Sequence, residues 1–312
     1  MKRFAPLGLI LAMLVVAGCA DNNVTKPDNN KQSKAPVSVS NNTSQSGSNV
    51  QNELQKIMNQ KTSPQELIAF ANHNISKLSK ADATRLVLHL ESVQRSQIDS
   101  RTDAWLNPDI QAALLQVDYN GTLDDMIKGT NHAKLKAMLT KTRDNGFKLI
   151  ILEGAFYPII DYEKYKIYQP YVNDDIEYYI DIAASESEQI CTEDNGLVIS
   201  WPELAMRTLR AESYIKKYPN SPRIADVREQ YETYVTNYLY GANNSPAFDY
   251  DSKELDKSAR KSYYELAKSA DKSQVAELIK EYLPILEKNN YKRTPEVEQS
   301  LKNAENKLLT TH

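Results

Sequence analysis

The chain of 312 residues is mildly acidic, with 38 Lys and Arg against 41 Asp and Glu. Nucleic-acid-binding proteins need a basic surface that neutralises phosphates, so this charge balance argues against that class. With two cysteines and nine glycines, the sequence also offers neither a framework of several disulfides nor a glycine-rich phosphate loop.

The first 18 residues have the layout of an export signal. Lys2 and Arg3 precede an almost wholly apolar run over residues 4–16. This run is shorter than the roughly 20 apolar residues that a transmembrane helix needs. A short apolar run between basic residues and small residues is typical of a removable signal peptide, so the sequence predicts an exported protein.

The end of this segment, Val-Ala-Gly-Cys at residues 16–19, resembles the lipobox of bacterial lipoproteins. The resemblance implies cleavage after Gly18 and diacylglycerol on Cys19, which would anchor the protein on the outer face of the cell membrane or on the outer membrane. Each buried methylene contributes about 0.8 kcal/mol, so several acyl chains give stable anchoring. An ordinary secretory signal with a chance cysteine is the alternative, and the type of envelope stays open.

Residues 19–52 are predicted to form a lipid-anchored, disordered tether. They are rich in Asn and Ser and contain almost no large apolar side chain. Such a segment cannot bury enough apolar surface to offset the entropy lost when it orders. Residues 53–312 are then predicted to be the folded part, as one helical domain or as two subdomains, 53–145 and 146–312. No cofactor is expected.

Helical signals dominate this folded part. Ser63, Pro64 and Glu66 form the pattern of a capping box, and Leu86 and Leu90 recur on one helical face. The predicted helices are 53–76, 80–101, 108–117, 122–128, 132–145, 253–269, 273–288 and 295–308. The fold class is therefore predicted to be mainly α, built from amphipathic helices and αα-hairpins.

Residues 147–160 interrupt the helical pattern. Two short apolar runs lie on either side of Glu153 and Gly154, and the first run follows Gly146. Short, partly β-branched runs around a turn favour strands, although their period alone does not distinguish a buried strand from a buried helix. We expect one small β-hairpin here.

Sixteen of the nineteen tyrosines lie between Tyr157 and Tyr264. They are interpreted mainly as core residues on amphipathic helices, with each hydroxyl reaching solvent. The alternative is an aromatic surface that binds a glycan or a peptide.

The stretch "AESYIKKYPNSPRIADVREQY", residues 211–231, resembles the helix-turn-helix joint of tetratricopeptide-like envelope lipoproteins. In this resemblance Tyr218 and Pro219 end one helix, while Ser221 and Pro222 cap the next. Repeat proteins need about three copies to bury their faces, and no clear second copy follows. The resemblance therefore implies a single αα-hairpin and only slightly favours a partner-binding scaffold.

An acidic stretch separates Lys166 from Arg207, with no Lys or Arg between them. Within it, "AASESEQ" resembles the Glu-Ser pair of lytic transglycosylases, in which one glutamate is the general acid and base. Glu186 would carry that role, because a protonated glutamate in an apolar pocket can donate a proton near neutral pH. The Gly-Leu-Met-Gln segment of that family has no counterpart here.

The neighbouring "EDNGLVISWPEL" resembles an EF-hand calcium loop, with Glu193, Asn195 and Glu203 as ligands. The first ligand position would fall on Cys191, which is not a hard oxygen donor, and the loop is one residue too long. A turn at Asn195 and a helix cap at Ser200 explain the same residues without a metal. The commonest role of such a cluster is a solvated face or a surface for a basic partner.

The leading hypothesis is a lipid-anchored envelope protein that acts as a non-catalytic binding or scaffold module for a protein or cell-wall partner. A peptidoglycan-active enzyme that uses Glu186 is the first alternative, and a calcium-binding envelope protein is the second. No nucleic-acid partner is expected from the charge balance.

Overall fold

The computed structural model describes residues 42–118, 122–268 and 273–310, which belong to one compact unit. The helices before the first strand are α1 (Asn42–Asn59), α2 (Pro64–Asn74), α3 (Lys80–Arg95), α4 (Ile98–Trp105), α5 (Pro108–Leu114), α6 (Leu123–Gly129) and α7 (Ala133–Asp144). A hairpin of β1 (Phe147–Leu152) and β2 (Ala155–Ile160) follows, and a 3-10 helix spans Tyr162–Tyr171.

The rest of the chain alternates helices with very short hairpins. Its elements are α8 (Asp174–Glu188), β3 (Thr192–Glu193), β4 (Gly196–Leu197), α9 (Trp201–Lys217), α10 (Ile224–Tyr240), β5 (Gly241–Ala242), β6 (Ser245–Pro246), α11 (Lys257–Lys268), α12 (Gln274–Lys288) and α13 (Pro295–Thr310). Each pair of strands forms its own two-stranded antiparallel sheet. The predicted mainly α fold class, with a small hairpin near 147–160, is confirmed.

Local signals placed several caps correctly, although the predicted helix 53–76 is wrong in being continuous, because α1 ends at Asn59 and Ser63 starts α2. Ser63 caps α2 in a capping box with Glu66, and Ser79 accepts a hydrogen bond from the amide of Asp82 at the start of α3. These caps satisfy amide groups that have no partner within the helix. The predicted helix 80–101 is instead broken at Ser96, whose hydroxyl donates to the carbonyl of Val93 at 2.8 Å and so competes with the helical ladder.

The tether predicted for residues 19–52 needs correction at its end. Helix α1 begins at Asn42, and Val50 and Leu54 on the same helical face are both buried. Leu54 belongs to the second hydrophobic cluster described below, and Ile57 and Met58 pack against that cluster, so this face of the helix docks there. The remaining tether residues, the signal segment 1–18 and Cys19 lie outside the described residues.

The hydrophobic core consists of three clusters. The first is formed by residues of the elements from α8 to α13 and contains Tyr214 and Tyr238. The third is formed by residues of the elements from α4 to β2 and contains Trp105. The second joins Leu54 and Leu90 to side chains after the hairpin, such as Ile180. Because this second cluster spans residue 146, the two subdomains considered from the sequence do not coincide with separate cores.

A buried ionic network connects the two halves of the chain. The Glu91 carboxylate, which is 1% exposed, forms ion pairs with Arg95 at 2.8 Å and with Arg223 at 2.7 Å. It also accepts hydrogen bonds from the hydroxyls of Tyr162 at 2.6 Å and Tyr179 at 2.7 Å. A buried charge is tolerated only when it is paired and hydrogen-bonded in this way.

The predicted αα-hairpin is present as α9 and α10, but its turn differs from the expectation. Helix α10 begins at Ile224 with Arg223 at its N-cap, so Ser221 does not cap it. The Ser221 hydroxyl accepts the amide of Arg223 at 3.3 Å, one residue ahead of the helix, and also accepts from the Tyr214 hydroxyl at 2.7 Å and donates to Asp175 at 2.6 Å. In the described part of the chain, no helix combines the length and apolar character needed to cross a membrane.

Candidate binding cleft

The hairpin β1–β2 has two outer edges, and its register fixes which groups face outward. The turn residues Glu153 and Gly154 both have positive φ, 49° and 75°, as a two-residue type I′ turn requires. Just beyond the strands, the amide of Asp161 donates to the carbonyl of Gly146 at 3.0 Å, so these two residues form a hydrogen-bonded pair. Such pairs recur at every second position toward the turn, which places them at the even-numbered residues of β1. Odd-numbered residues of β1 therefore direct their main-chain groups away from β2.

The outer edge of β2 is closed to further pairing. The amide of Phe156 donates to Oε1 of Gln111 at 2.9 Å, and Nε2 of Gln111 donates to the carbonyl of Phe156 at 3.1 Å. The next outward position is Pro158, which has no N–H to offer. A side-chain amide and a proline thus protect this edge, as natural sheets commonly do.

The outer edge of β1 is open. Within residues 42–118, 122–268 and 273–310, no protein group forms a hydrogen bond with the main chain of Leu149 or Ile151 on that side. Two consecutive outward residues thus offer two amide donors and two carbonyl acceptors. Such a row is a template on which another extended segment can pair.

A cleft of about 730 Å³, which we call the β1 cleft, lies along this strand. Its apolar wall consists of Leu123, Met126, Leu149, Ile151 and Phe156, which also belong to or pack against the third hydrophobic cluster. The opposite wall comes from residues 187–190 at the end of α8, with Glu193 and Val198. Pockets of this size, with an apolar wall and a few polar groups, are typical of binding sites.

Charges line the β1 cleft in nearly equal numbers. Arg143 pairs with Asp124 and with Asp144, and Lys164 lies 3.5 Å from Asp161. Lys148 is half-buried and has no ion pair among the described residues. Burial lowers its pKa, and nearby carboxylates, chiefly that of Asp161, oppose part of that shift.

Two carboxylates of the cleft form no hydrogen bond or ion pair with a described group, although the charge of Glu188 opposes part of the lowering of the Lys148 pKa. They are Glu188, which is exposed, and Glu193, which is half-buried. In total, four acidic and three basic side chains line the cleft, so its formal charge is −1. The free charges are thus two carboxylates on one wall and the ammonium of Lys148 on the strand.

Glu186, the candidate catalytic residue, lies next to the cleft and is fully engaged. Its Oε1 accepts the amide of Cys191 at 2.8 Å, and its Oε2 accepts Arg207 at 3.0 Å and the hydroxyl of Tyr234 at 2.7 Å. These bonds tie the end of α8 to α9, to α10 and to the segment that forms the cleft wall. Both oxygens of the carboxylate therefore already accept hydrogen bonds, and the group acts as a structural tie.

The candidate calcium ligands are not arranged as a metal site. Asn195 lies in the β3–β4 turn with φ of 60°, and its carbonyl accepts the amide of Asn244 at 2.7 Å. Glu203 pairs with Nε of Arg207 at 2.8 Å, and Glu193 lines the β1 cleft. Among the described residues, no group of three or more His, Cys, Asp or Glu side chains is arranged to hold a metal ion.

Many of the tyrosines are core residues. Six of them are fully buried, namely Tyr214, Tyr231, Tyr234, Tyr238, Tyr263 and Tyr282. Their hydroxyls were expected to reach solvent, but Tyr214 donates to Ser221 and Tyr263 to the carbonyl of Tyr238, both at 2.7 Å. Internal partners are needed because a buried hydroxyl without one is costly, and the Tyr282 hydroxyl is an exception that has no hydrogen-bond partner among the described residues.

No sequence pattern indicated Lys148, Ile190 or Val198 as cleft residues. The nearest signal was Pro158, since a proline inside a strand indicates an edge strand and implies a narrow sheet. Comparisons of the chain with protein-family models, with curated proteins and with solved structures find no match. A function has to be inferred from the geometry of this chain.

Proposed function

We propose that this protein is a lipid-anchored protein of the cell envelope that acts as a non-catalytic binding module, with the β1 cleft as its binding site. The observation that carries the proposal is the open edge of β1 inside a partly apolar cleft, beside a β2 edge that is closed. Natural proteins protect edges that have no partner, so an unprotected edge in a recess is a mark of binding.

The anchoring part of the proposal rests on the lipobox resemblance at Cys19 and not on the fold. The Cys19→Ala variant should accumulate as uncleaved precursor and should no longer label with a palmitate analogue. A variant that is still processed after Gly18 and still partitions into detergent would contradict lipidation at Cys19. The proposed location is the membrane surface outside the cytoplasm, in either type of envelope.

The binding part is tested by site-specific photo-crosslinking in cells that carry the full chain. The crosslinking residue p-benzoylphenylalanine replaces Val198, which is 37% exposed and lines the cleft, or Leu115, which is 60% exposed and lies outside it. We expect discrete crosslinked products from position 198 and none of the same mass from position 115. Equal products from both positions, or none from position 198, would contradict a binding cleft.

No observation in the structure favours either of the two alternative functions, a peptidoglycan-active enzyme or a calcium-binding protein. Hydrolysis by Glu186 would need a protonated carboxyl that is available to a substrate, and this carboxylate is already bound by three donors, including the guanidinium of Arg207. Calcium binding would need oxygens that converge, but Glu203 is paired with Arg207 and the candidate ligands form no metal-binding group among the described residues. Neither alternative is proposed.

A further inference from the structure

We infer that the β1 cleft binds an extended polypeptide segment that adds as a third strand beside β1. This inference rests on the proposed binding function and specifies its ligand class. The main-chain groups of Leu149 and Ile151 would pair with alternate residues of the incoming segment, and side-chain contacts with the cleft walls would select it. Strand addition of this kind derives affinity from main-chain hydrogen bonds and specificity from alternate side chains.

The contrast between the two edges of the hairpin is the main support. On β2, Gln111 binds the amide and the carbonyl of Phe156, and Pro158 removes the next donor. On β1, the corresponding outward residues are Leu149 and Ile151, and no described protein group takes that place. An uncovered edge of either strand could pair with another chain, yet only the edge that borders the cleft is left open.

The walls of the cleft define the chemistry of the segment. Leu149 and Ile151 share a sheet face with the aliphatic wall of Leu123 and Met126, so the segment should place aliphatic side chains at alternate positions on that face. The opposite wall carries the free carboxylates of Glu188 and Glu193. We therefore expect a lysine or arginine among the positions that point to that wall.

The length of β1 limits the length of the segment. β1 has six residues, of which residues 148–151 line the cleft, and Oδ1 of Asp194 accepts the amide of Glu153 at 2.8 Å just beyond the strand. The paired part is therefore about four residues long, and a peptide of six residues covers it. The probe is accordingly a fluorescent peptide of the form acetyl-Thr-Val-Lys-Val-Thr-Val-amide. It presents valines at alternate positions and one basic side chain on the other face.

The decisive experiment compares two N-methylated forms of this peptide by fluorescence polarisation against the full chain in detergent. In an extended strand, alternate amides face opposite edges, so methylation of one alternate set removes the bonds to β1 and methylation of the other set leaves them. We expect a loss of tenfold or more for one set and a change below threefold for the other. Equal binding of the two methylated peptides, or equal loss, would overturn strand addition, as would no binding of the unmethylated peptide at about 1 mM.

Two protein variants test the same contact from the other side. Leu149→Pro removes one outward N–H and no ladder bond, because residue 149 lies opposite Pro158 at a pair without hydrogen bonds. Leu149→Ala is the matched control, because it shortens the side chain further than proline does but keeps the N–H. We expect at least a tenfold loss of affinity for the proline variant and less than threefold for the alanine variant, with equal affinities overturning the inference.

A charge variant keeps the test valid if Leu149→Pro fails to fold. Glu193→Gln leaves the main chain unchanged and should weaken the lysine peptide severalfold, while a peptide with threonine in place of lysine should bind both proteins alike. An unchanged affinity for the lysine peptide would contradict the assigned side-chain contact. If position 198 crosslinks a partner in cells but N-methylation has no directional effect, the binding function stands and strand addition fails.

Discussion

Gln111 binds both outward main-chain groups of Phe156, with Oε1 2.9 Å from the amide nitrogen and Nε2 3.1 Å from the carbonyl oxygen. Nε2 also lies 2.8 Å from the carbonyl of Trp105. One side chain thus closes an edge of the hairpin and fixes it to the end of α4. The result is a hairpin with a single open edge, which faces the β1 cleft.

Replacing Gln111 should cost stability. Gln111→Ala removes these hydrogen bonds and leaves the amide of Phe156, whose side chain is 3% exposed, without this acceptor. We expect the free energy of unfolding to fall by about 2 kcal/mol, since an unsatisfied buried donor costs about 1–3 kcal/mol. Urea denaturation measures the change, and Gln116→Ala, at an exposed position, is the control. Equal stabilities of the two variants would show that Gln111 does not protect the edge.

The Glu91 network should make stability depend on pH. Burial alone would raise the pKa of Glu91, but the charges of Arg223 and Arg95 with the Tyr162 and Tyr179 hydroxyls outweigh burial and lower it. A carboxyl whose pKa is lower in the folded protein stabilises that state above its unfolded pKa of about 4.3. That stabilisation is lost as the pH falls through the lower, folded pKa.

The test is denaturation of Glu91→Gln between neutral and acidic pH. At pH 7 the variant should be less stable by about 3 kcal/mol, because removal of one partner leaves buried arginines unpaired. The difference from the wild type should shrink as acid protonates Glu91. Glu281→Gln, whose carboxylate is exposed, should show neither effect. A difference that stays constant down to the acid transition would contradict the ionised state assigned to Glu91.

Glu186→Gln should affect stability and not chemistry. The change weakens the contacts with Arg207 and Tyr234, so we expect a loss of about 2 kcal/mol, as for hydrogen bonds to charged groups. Gels that contain peptidoglycan test for catalysis, because hydrolysis of the peptidoglycan clears the gel. Clearing by the wild type that disappears in a still-folded Glu186→Gln protein would restore the enzymatic alternative.

Calcium should give no specific stabilisation. A ligand that binds only the folded state at a hundredfold excess over its Kd adds about 2.7 kcal/mol, which raises the melting temperature by several degrees. Thermal melts in millimolar calcium and magnesium at equal ionic strength should coincide, because Glu203 is already paired with Arg207. A rise seen with calcium alone, and abolished by Glu193→Ala, would show that the oxygens of this loop do converge.

Local patterns predicted the elements better than the site. The caps at Ser63 and Ser79 and the hairpin around Gly154 follow from neighbours within a few residues, so the sequence indicates them directly. The contacts of Gln111 with Phe156 and of Glu91 with Arg223 join residues 45 and 132 positions apart. No local pattern encodes such pairs, and the open edge of β1 could not be predicted without knowing what covers β2.

The start of α1 and the roles of Glu186 and Glu203 show the same limit. The polar composition around Asn42 favoured a tether, whereas docking of Leu54 and Ile57 on a distant cluster stabilises a helix there. In the sequence, Glu186 and Glu203 look like functional carboxylates because they lie in a stretch that contains no Lys or Arg. In the structure, both pair with Arg207, the residue at which that stretch ends. Tertiary contacts decide whether such carboxylates are free or structural.

Amide hydrogen exchange along β1 tests the central claim most directly. In the free protein, the amides of Leu149 and Ile151 should exchange rapidly because they face the cleft, while those of Lys148 and Ile150 should be protected by their bonds to β2. Saturation with the unmethylated valine-lysine peptide should protect Leu149 and Ile151 and leave the other two amides unchanged. Equal protection of all four amides in the free protein would show that the outer edge of β1 is already covered, which would contradict the binding cleft.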